Sequence, residues 1–352
     1  MLTKIFDEKK IQKLETYMDK GDDFVIVMHV SPDGDAIGAS LGLYHYLIAQ
    51  GSTVNVISPN DFPAFLKWMP DAGSIIVYDR HREYAEQLID RADVIFCLDF
   101  NEPKRMGRLA PAVEAATARK VMIDHHPNPS NFCKLIISHP EMSSTSEMIF
   151  RLLCALKAAD AISRETAECI YTGMMTDTGA FTYRSNDPDL YLIIRELLRT
   201  GVDKDRIYRR VYQVYSESRL RLMGYALYEK MKVYPEKKTA LITLSLNELN
   251  RFNYVPGDVE GFVNLPLSIE WIQFAVFIRE NTDGINLSFR SVGDFPCNRF
   301  AAACFQGGGH RNAAGGEYAG TLEEAVRIFE EGLEEWNPVA WRKGPEDGSP
   351  QT

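Results

Sequence analysis

Eight side chains of metal-binding type arrive in four separated segments of this sequence. Val121-Met122-Ile123 runs into Asp124-His125-His126-Pro127. His29 is followed by Asp33-Gly34-Asp35. Asp99 comes directly after the run Val94 to Leu98, and Asp177 stands within Thr176-Asp177-Thr178-Gly179. Carboxylates and neutral imidazoles suit Mn²⁺ and similar borderline-hard cations. Two such ions about 3.5–4 Å apart need a carboxylate between them and separate ligands on each side. His29, Asp33, Asp35, Asp99, His125 and Asp177 suffice for both. An ion pair of this kind activates a water and neutralises charge on phosphate oxygens, so the chemistry is phosphoester hydrolysis. Each segment alone has a plainer reading: Asp33-Gly34-Asp35 could cap a helix, and Asp99 and Asp177 could cap a strand end and a loop. All four together would require four coincidences.

Three of the four segments follow strand-like apolar runs: Phe24 to Val30, Val94 to Leu98, and Val121 to Ile123. A buried strand that stops at polar residues delivers them to the rim of a sheet. In open α/β sheets ligands bind outside the carboxyl ends of the strands. Periodicity predicts strands over 24–30, 53–57, 75–78, 93–98, 120–123 and 134–138. Helices are expected over 8–20, 36–50, 81–91 and 105–118. This alternation marks parallel βαβ units. Residues 144–176 read as two helices, with N-cap candidates in Ser143-Ser144-Thr145-Ser146-Glu147. The pattern then divides the chain into a first α/β domain (1–186) with a parallel sheet, a helical connector (187–232) and a smaller α/β domain (233–337), with a disordered tail (338–352). In the second domain, strands are expected over 239–246, 271–279 and 285–290, with a turn at Asn281-Thr282-Asp283-Gly284. Helices are expected over 298–305 and 322–336.

At 352 residues and 45% hydrophobic content, the chain can build a core in each domain. A formal net charge of −10 argues against a non-specific grip on long nucleic acid, which needs a basic stripe. It leaves room for a small phosphorylated ligand whose charge is met by metal ions. The six cysteines are scattered without CxxC spacing, as expected of a reducing cytoplasm. The N-terminus is too charged for a signal peptide, and no run of 18 apolar residues predicts a membrane span.

These motifs resemble the DHH phosphoesterase family, whose name stands here as Asp124-His125-His126. His29-Val30-Ser31-Pro32-Asp33-Gly34-Asp35, with Gly38 and Ser40, matches its first motif. Asp99 matches the second and Thr176-Asp177-Thr178-Gly179 the fourth. Gly307-Gly308-Gly309-His310, followed by Ala313-Ala314-Gly315-Gly316, resembles the signature of the DHH-associated C-terminal domain. Ser288-Phe289-Arg290-Ser291 resembles that domain's preceding strand. The likeness is greatest to the short two-domain nano-RNase and adenosine 3′,5′-bisphosphate (pAp) phosphatase group.

The resemblance implies that His29 and Asp33 hold one Mn²⁺, that Asp35, His125 and Asp177 hold a second, and that Asp99 bridges them. Mg²⁺ or Co²⁺ are substitutes. His126 would face the scissile phosphate, and Asp124 would orient the histidines. Consecutive glycines let main-chain N–H groups crowd an anion, so Gly307, Gly308 and Gly309 with His310, Ser288 and Arg290 form the expected substrate grip. The Arg290 fork suits a terminal phosphate, and Arg184 is a further candidate contact. The implied reaction is release of 5′-mononucleotides from very short RNA, with dephosphorylation of pAp. Linear or cyclic dinucleotides such as pApA and cyclic di-AMP are the rival substrates. A nucleotide-binding regulatory module is the rival without turnover. The expected partners are short RNA, pAp or dinucleotides, with no long duplex DNA and no membrane. A homodimer is compatible with this reading.

Overall fold

Strands β1 (Asp23–Val27), β2 (Thr53–Ser58), β3 (Ile76–Val77), β4 (Val94–Leu98), β5 (Arg119–Asp124) and β6 (Leu135–Ser138) form one sheet in the order β3-β2-β1-β4-β5-β6. All of its pairings are parallel. The structure, a computed structural model, describes residues 3–341 and divides the chain into units Met1–Val214 and Tyr215–Thr352. Of the expected tail, 342–352 lies outside the described residues.

All five residues of β4 are buried, as a central strand covered on both faces requires. On one face lie α2 (Gly34–Ala49), α5 (Thr145–Ala155), α6 (Arg164–Asp177), α7 (Pro188–Arg199) and α8 (Lys204–Tyr212). The other carries α3 (Arg82–Arg91) and α4 (Ala110–Ala115). Alternation along β1 shows the division: Phe24 and Ile26 join the first core, Val25 and Val27 the second. Helix α1 (Glu8–Asp19) lies at the β6 edge, where Lys10 and Lys13 donate to the carbonyls of Ile136 and Lys134. The helix expected over 105–118 is instead a 3₁₀ segment, Pro103–Leu109, followed by the short α4. Gly107 at φ 54° breaks the helical path.

The helical stretch 187–232 is shared between the units. α7 and α8 belong to the first; α9 (Glu217–Tyr225), a π-helical turn and β7 (Met231–Tyr234) belong to the second. The second unit's sheet runs β11-β12-β10-β9-β8-β7, with β8 (Thr239–Leu244), β9 (Phe274–Asn281), β10 (Gly284–Ser291), β11 (Gly308–His310) and β12 (Ala313–Tyr318). Only β8 and β9 pair in parallel. Helices α11 (Cys297–Phe305) and α12 (Leu322–Glu335) cover one face. α9, α10 (Leu246–Arg251) and the 3₁₀ segment Phe262–Ser268 cover the β8–β9 part of the other. No residue of β10, β11 or β12 joins that second core. Among the described residues no helix is long and apolar enough to cross a membrane.

Candidate metal centre

The order of the parallel sheet reverses between β1 and β4, and the polar segments leave the sheet at that switch point. His29 lies two residues beyond β1, and Asp99 directly follows β4. Asp124 is the last residue of β5, with His125 and His126 behind it. Asp33 caps α2, accepting from the N–H groups of Asp35 (2.9 Å) and Ala36 (3.1 Å). The capping reading of the acidic turn therefore holds beside any metal role. Asp177 comes from the last residue of a helix, α6, rather than from a strand. Ser31 and Asp99 sit at φ 51° and 64°, a strained conformation for non-glycine residues and one that gathers at functional sites. Asn60 supports the first of these, its Oδ1 accepting from the Ser31 N–H at 2.6 Å. Asn101 holds the histidine loop by donating to the Pro127 carbonyl at 2.7 Å.

The imidazoles are oriented by main-chain carbonyls. His29 Nδ1 lies 2.7 Å from the Val30 carbonyl, and His125 Nδ1 lies 3.3 Å from that of Met142. A carbonyl can only accept, so each Nδ1 carries the proton and each Nε2 keeps a lone pair. His29 Nε2 lies 3.5 Å from Asp99 and 4.0 Å from Asp33, buried and without a hydrogen-bond partner. His125 Nε2 lies 3.5 Å from Asp177, 3.6 Å from Asp99 and 3.9 Å from Asp35. Ligand atoms of His29, Asp33 and Asp99 lie within 4.8 Å of one another, as do those of Asp35, His125 and Asp177. His126 differs, since its Nδ1 pairs with Asp124 at 2.8 Å. Arg184 donates to the carbonyls of Pro140 (2.5 Å) and Met142 (2.9 Å), so its guanidinium braces the loop behind His125.

The start of α5 contributes contacts that local patterns do not reveal. The Asp35 carboxylate accepts from the N–H groups of Thr145 (2.6 Å) and Ser146 (2.8 Å), and Thr145 Oγ1 donates to Asp99 at 2.8 Å. A helix N-terminus favours such anions. That end is itself fixed from behind. Ser144 caps the Glu147 N–H at 3.0 Å, Glu147 accepts from the Ser143 N–H and hydroxyl, and buried Arg151 donates to Glu147 at 2.7 Å. Close packing of α5 on α6 is needed too: a Cβ on Gly173 would lie 1.9 Å from Ser146 Oγ and 3.0 Å from Asp35 Oδ1. The signal available in sequence was Ser143-Ser144-Thr145-Ser146-Glu147, which reads as a helix cap and gives no hint of what the capped helix holds.

The electrostatics call for cations. Burial, then the carboxylates of Asp35, Asp33, Asp124 and Asp177, push the Asp99 carboxyl well above its usual range. Burial raises Asp35 as well, and lifts Asp124 to about 6. Clustered buried carboxylates ionise together only when positive charge joins them. A lone-pair nitrogen without a partner, a second imidazole fixed in the same tautomer and carboxylates at 3.5–4.0 Å make a donor set that fits divalent ions.

In the second unit, register collects the expected grip on one face. Arg290 pairs with Ala313, and Ala313 with His310; Ser288 pairs with Gly315, and Gly315 with Gly308. These two rows share the face of β10 that is only half-buried, opposite Phe289 and Leu287. The glycine run is therefore mostly strand β11 rather than a free loop. Gly307 also permits close strand approach, since a Cβ there would lie 2.1 Å from the Gly315 carbonyl oxygen.

Residues 23–174 match the DHH family N-terminal domain, and residues 238–335 match the DHHA1 domain. The chain is 32% identical over 312 residues to the bifunctional oligoribonuclease and PAP phosphatase NrnA of Thermus thermophilus, covering 88% of this chain and 89% of the relative. The chain belongs to the DHH family. Another similar family member, NrnA of Bacillus subtilis, is 26% identical, with 88% and 93% covered. The crystal structure of an exopolyphosphatase-related protein from Bacteroides fragilis matches with a TM-score of 0.92 at 57% identity, covering 96% of this chain and 99% of that one. This structural match agrees with the α/β architecture of both units.

Proposed function

We propose that the protein is a metal-dependent phosphoesterase that hydrolyses very short RNA to 5′-mononucleotides and dephosphorylates pAp. The observation that carries this reading is the convergence of His29, Asp33, Asp35, Asp99, His125 and Asp177 at one end of the parallel sheet. Similarity to NrnA proteins across both domains supports the substrate class. In this reading His29 and Asp33 would hold one ion, Asp35, His125 and Asp177 the other, and Asp99 both. Two Mn²⁺ ions would supply an activated water and neutralise charge on the phosphate oxygens. Asp124 orients His126, whose second nitrogen is then directed as a donor or acceptor toward the phosphate. The Val30 and Met142 carbonyls favour the tautomer of His29 and His125 in which Nε2 faces the ions. Ser288, Arg290, Gly308 and His310 offer a second anion-binding surface for a terminal phosphate, with Gly307 and Gly309 shaping its strands. Manganese as the working ion, a cytoplasmic setting, and a division of labour between domains at 1–186 and 233–337 belong to the same proposal.

The test is product release by purified protein with Mn²⁺ from pAp, pApA, RNAs of two to five nucleotides, a long RNA and cyclic di-AMP. Preference for the short RNAs with cleavage of pAp is expected. Preference for cyclic di-AMP would move the protein to second-messenger turnover, and binding without turnover would make it a regulatory module.

A further inference from the structure

Arg105 stands six residues beyond Asp99, in the 3₁₀ segment Pro103–Leu109. Its main chain is tied to the histidine segment, because the Val30 N–H donates to the Arg105 carbonyl at 2.7 Å. Gly107 presses from the same side: a Cβ there would meet Val30 Cγ1 at 2.8 Å. Arg105 is half-buried, and its Nε is sealed from solvent without a hydrogen-bond partner. Among the described residues its guanidinium makes no ion pair. The carboxylates of the metal centre turn to histidine nitrogens and to the start of α5.

An arginine brought in only to balance the acids would be expected to pair with one of them. An unpaired planar fork, held by its own backbone against the His29 segment, has the geometry to meet two oxygens of an incoming anion. We propose that Arg105 binds the non-bridging oxygens of the scissile phosphoryl group, as a fixed positive charge supplied by the first unit. The inference rests on the phosphoesterase reading. It assigns Arg105 to the reacting phosphate alone.

The test compares Arg105→Ala, Arg105→Lys and Arg290→Ala with wild type. Arg108→Ala is the control, since Arg108 is solvent-exposed in the same segment. Three quantities are measured: binding of inorganic phosphate to the Mn²⁺-loaded protein by calorimetry, kcat/KM on dinucleotides with and without a 5′-phosphate, and Mn²⁺ content with the thermal midpoint. Arg105→Ala should weaken phosphate binding by about tenfold or more. It should lower kcat/KM by about 10²-fold, equally on both dinucleotides, with metal content and midpoint unchanged. Arg105→Lys should fall between, since it keeps the charge and loses the fork. Arg290→Ala should discriminate between the two dinucleotides. The proposal is overturned if Arg105→Ala binds phosphate as wild type does, or if Arg105→Ala and Arg105→Lys lose metal or stability in step with activity. Should wild type cleave neither dinucleotide, the phosphoesterase reading fails, and the phosphate titration still decides whether Arg105 is an anion site.

Discussion

In the first unit His29, Asp35, Asp99 and His125 are each exposed by 5% or less, and each is fixed by a hydrogen bond to another residue. In the second unit Ser288, Arg290 and His310 are half-buried and Gly308 is exposed, on a face where no residue of β10 joins a buried core. The two regions solve different problems. Buried carboxylates that repel one another need rigid donors behind them and cations in front. A half-buried sheet face without clustered carboxylates can rely on strand register and small residues alone. The first should therefore be brittle to substitution and the second tolerant.

The largest effect is expected at Asp99. Asp99→Ala should lower kcat/KM by roughly 10³-fold or more. Mn²⁺ should also cease to stabilise the variant fully. In wild type an ion at a hundredfold excess over its Kd adds about 2.7 kcal/mol. Thermal unfolding with Mn²⁺ and with EDTA reads this directly. Equal metal-induced shifts and normal turnover in the variant would remove Asp99 from between the ions.

The support behind the site should come next. Arg151 is 2% exposed at its side chain and lies 2.7 Å from Glu147, so Arg151→Met leaves a buried carboxylate unpaired. Such a loss costs about 3–5 kcal/mol. The double variant Arg151→Met with Glu147→Gln should recover part of it, because the stranded charge is gone. Denaturant unfolding of the three proteins checks this, and a double variant no better than the single would mean the charge is not the cause. On the open face, Arg290→Ala should leave stability unchanged and lower kcat/KM by about tenfold on substrates with a terminal phosphate. An equal loss without that phosphate would contradict its assignment.

The brittle region was also the more legible of the two. His29, Asp99 and Asp124 announce themselves because buried parallel strands are continuously apolar and stop sharply at polar residues. The second layer behind them is hidden by distance along the chain. Asp35 meets Thr145 and Ser146 across 110 and 111 residues, and nothing in a local pattern joins them. Arg105 was hidden for another reason: it sits in a stretch that reads as an ordinary helix, and Gly107 turns that stretch aside. In the second unit Gly308-Gly309-His310 lacks the β-branched alternation of a strand, so pairing with β12 was invisible, although Ser288 and Arg290 could be placed on β10. Strand β7 was absorbed into a helical pattern because Tyr225 to Tyr234 has no breaker between helix and strand.

The smallest expected effect probes the second unit's own scaffold. Burial alone would raise the Glu248 carboxyl, but bonds from Lys230 (2.8 Å), the Ser245 N–H (2.8 Å) and Tyr225 (2.6 Å) hold it down to about 2. A depressed carboxyl contributes stability that is complete above its ordinary value of 4.5 and is lost as pH falls toward 2. Lys230→Met should therefore be less stable than wild type at pH 6, by about 1 kcal/mol or less for a partly exposed pair. The gap should close as pH falls from 4.5 toward 2. Trp271, Trp336 and Trp341 are three of the four tryptophans and lie in this unit, so tryptophan fluorescence during unfolding reads it selectively. A gap that stays constant from pH 6 to below 3 would mean that Lys230 acts by packing its alkyl chain rather than through the charge on Glu248.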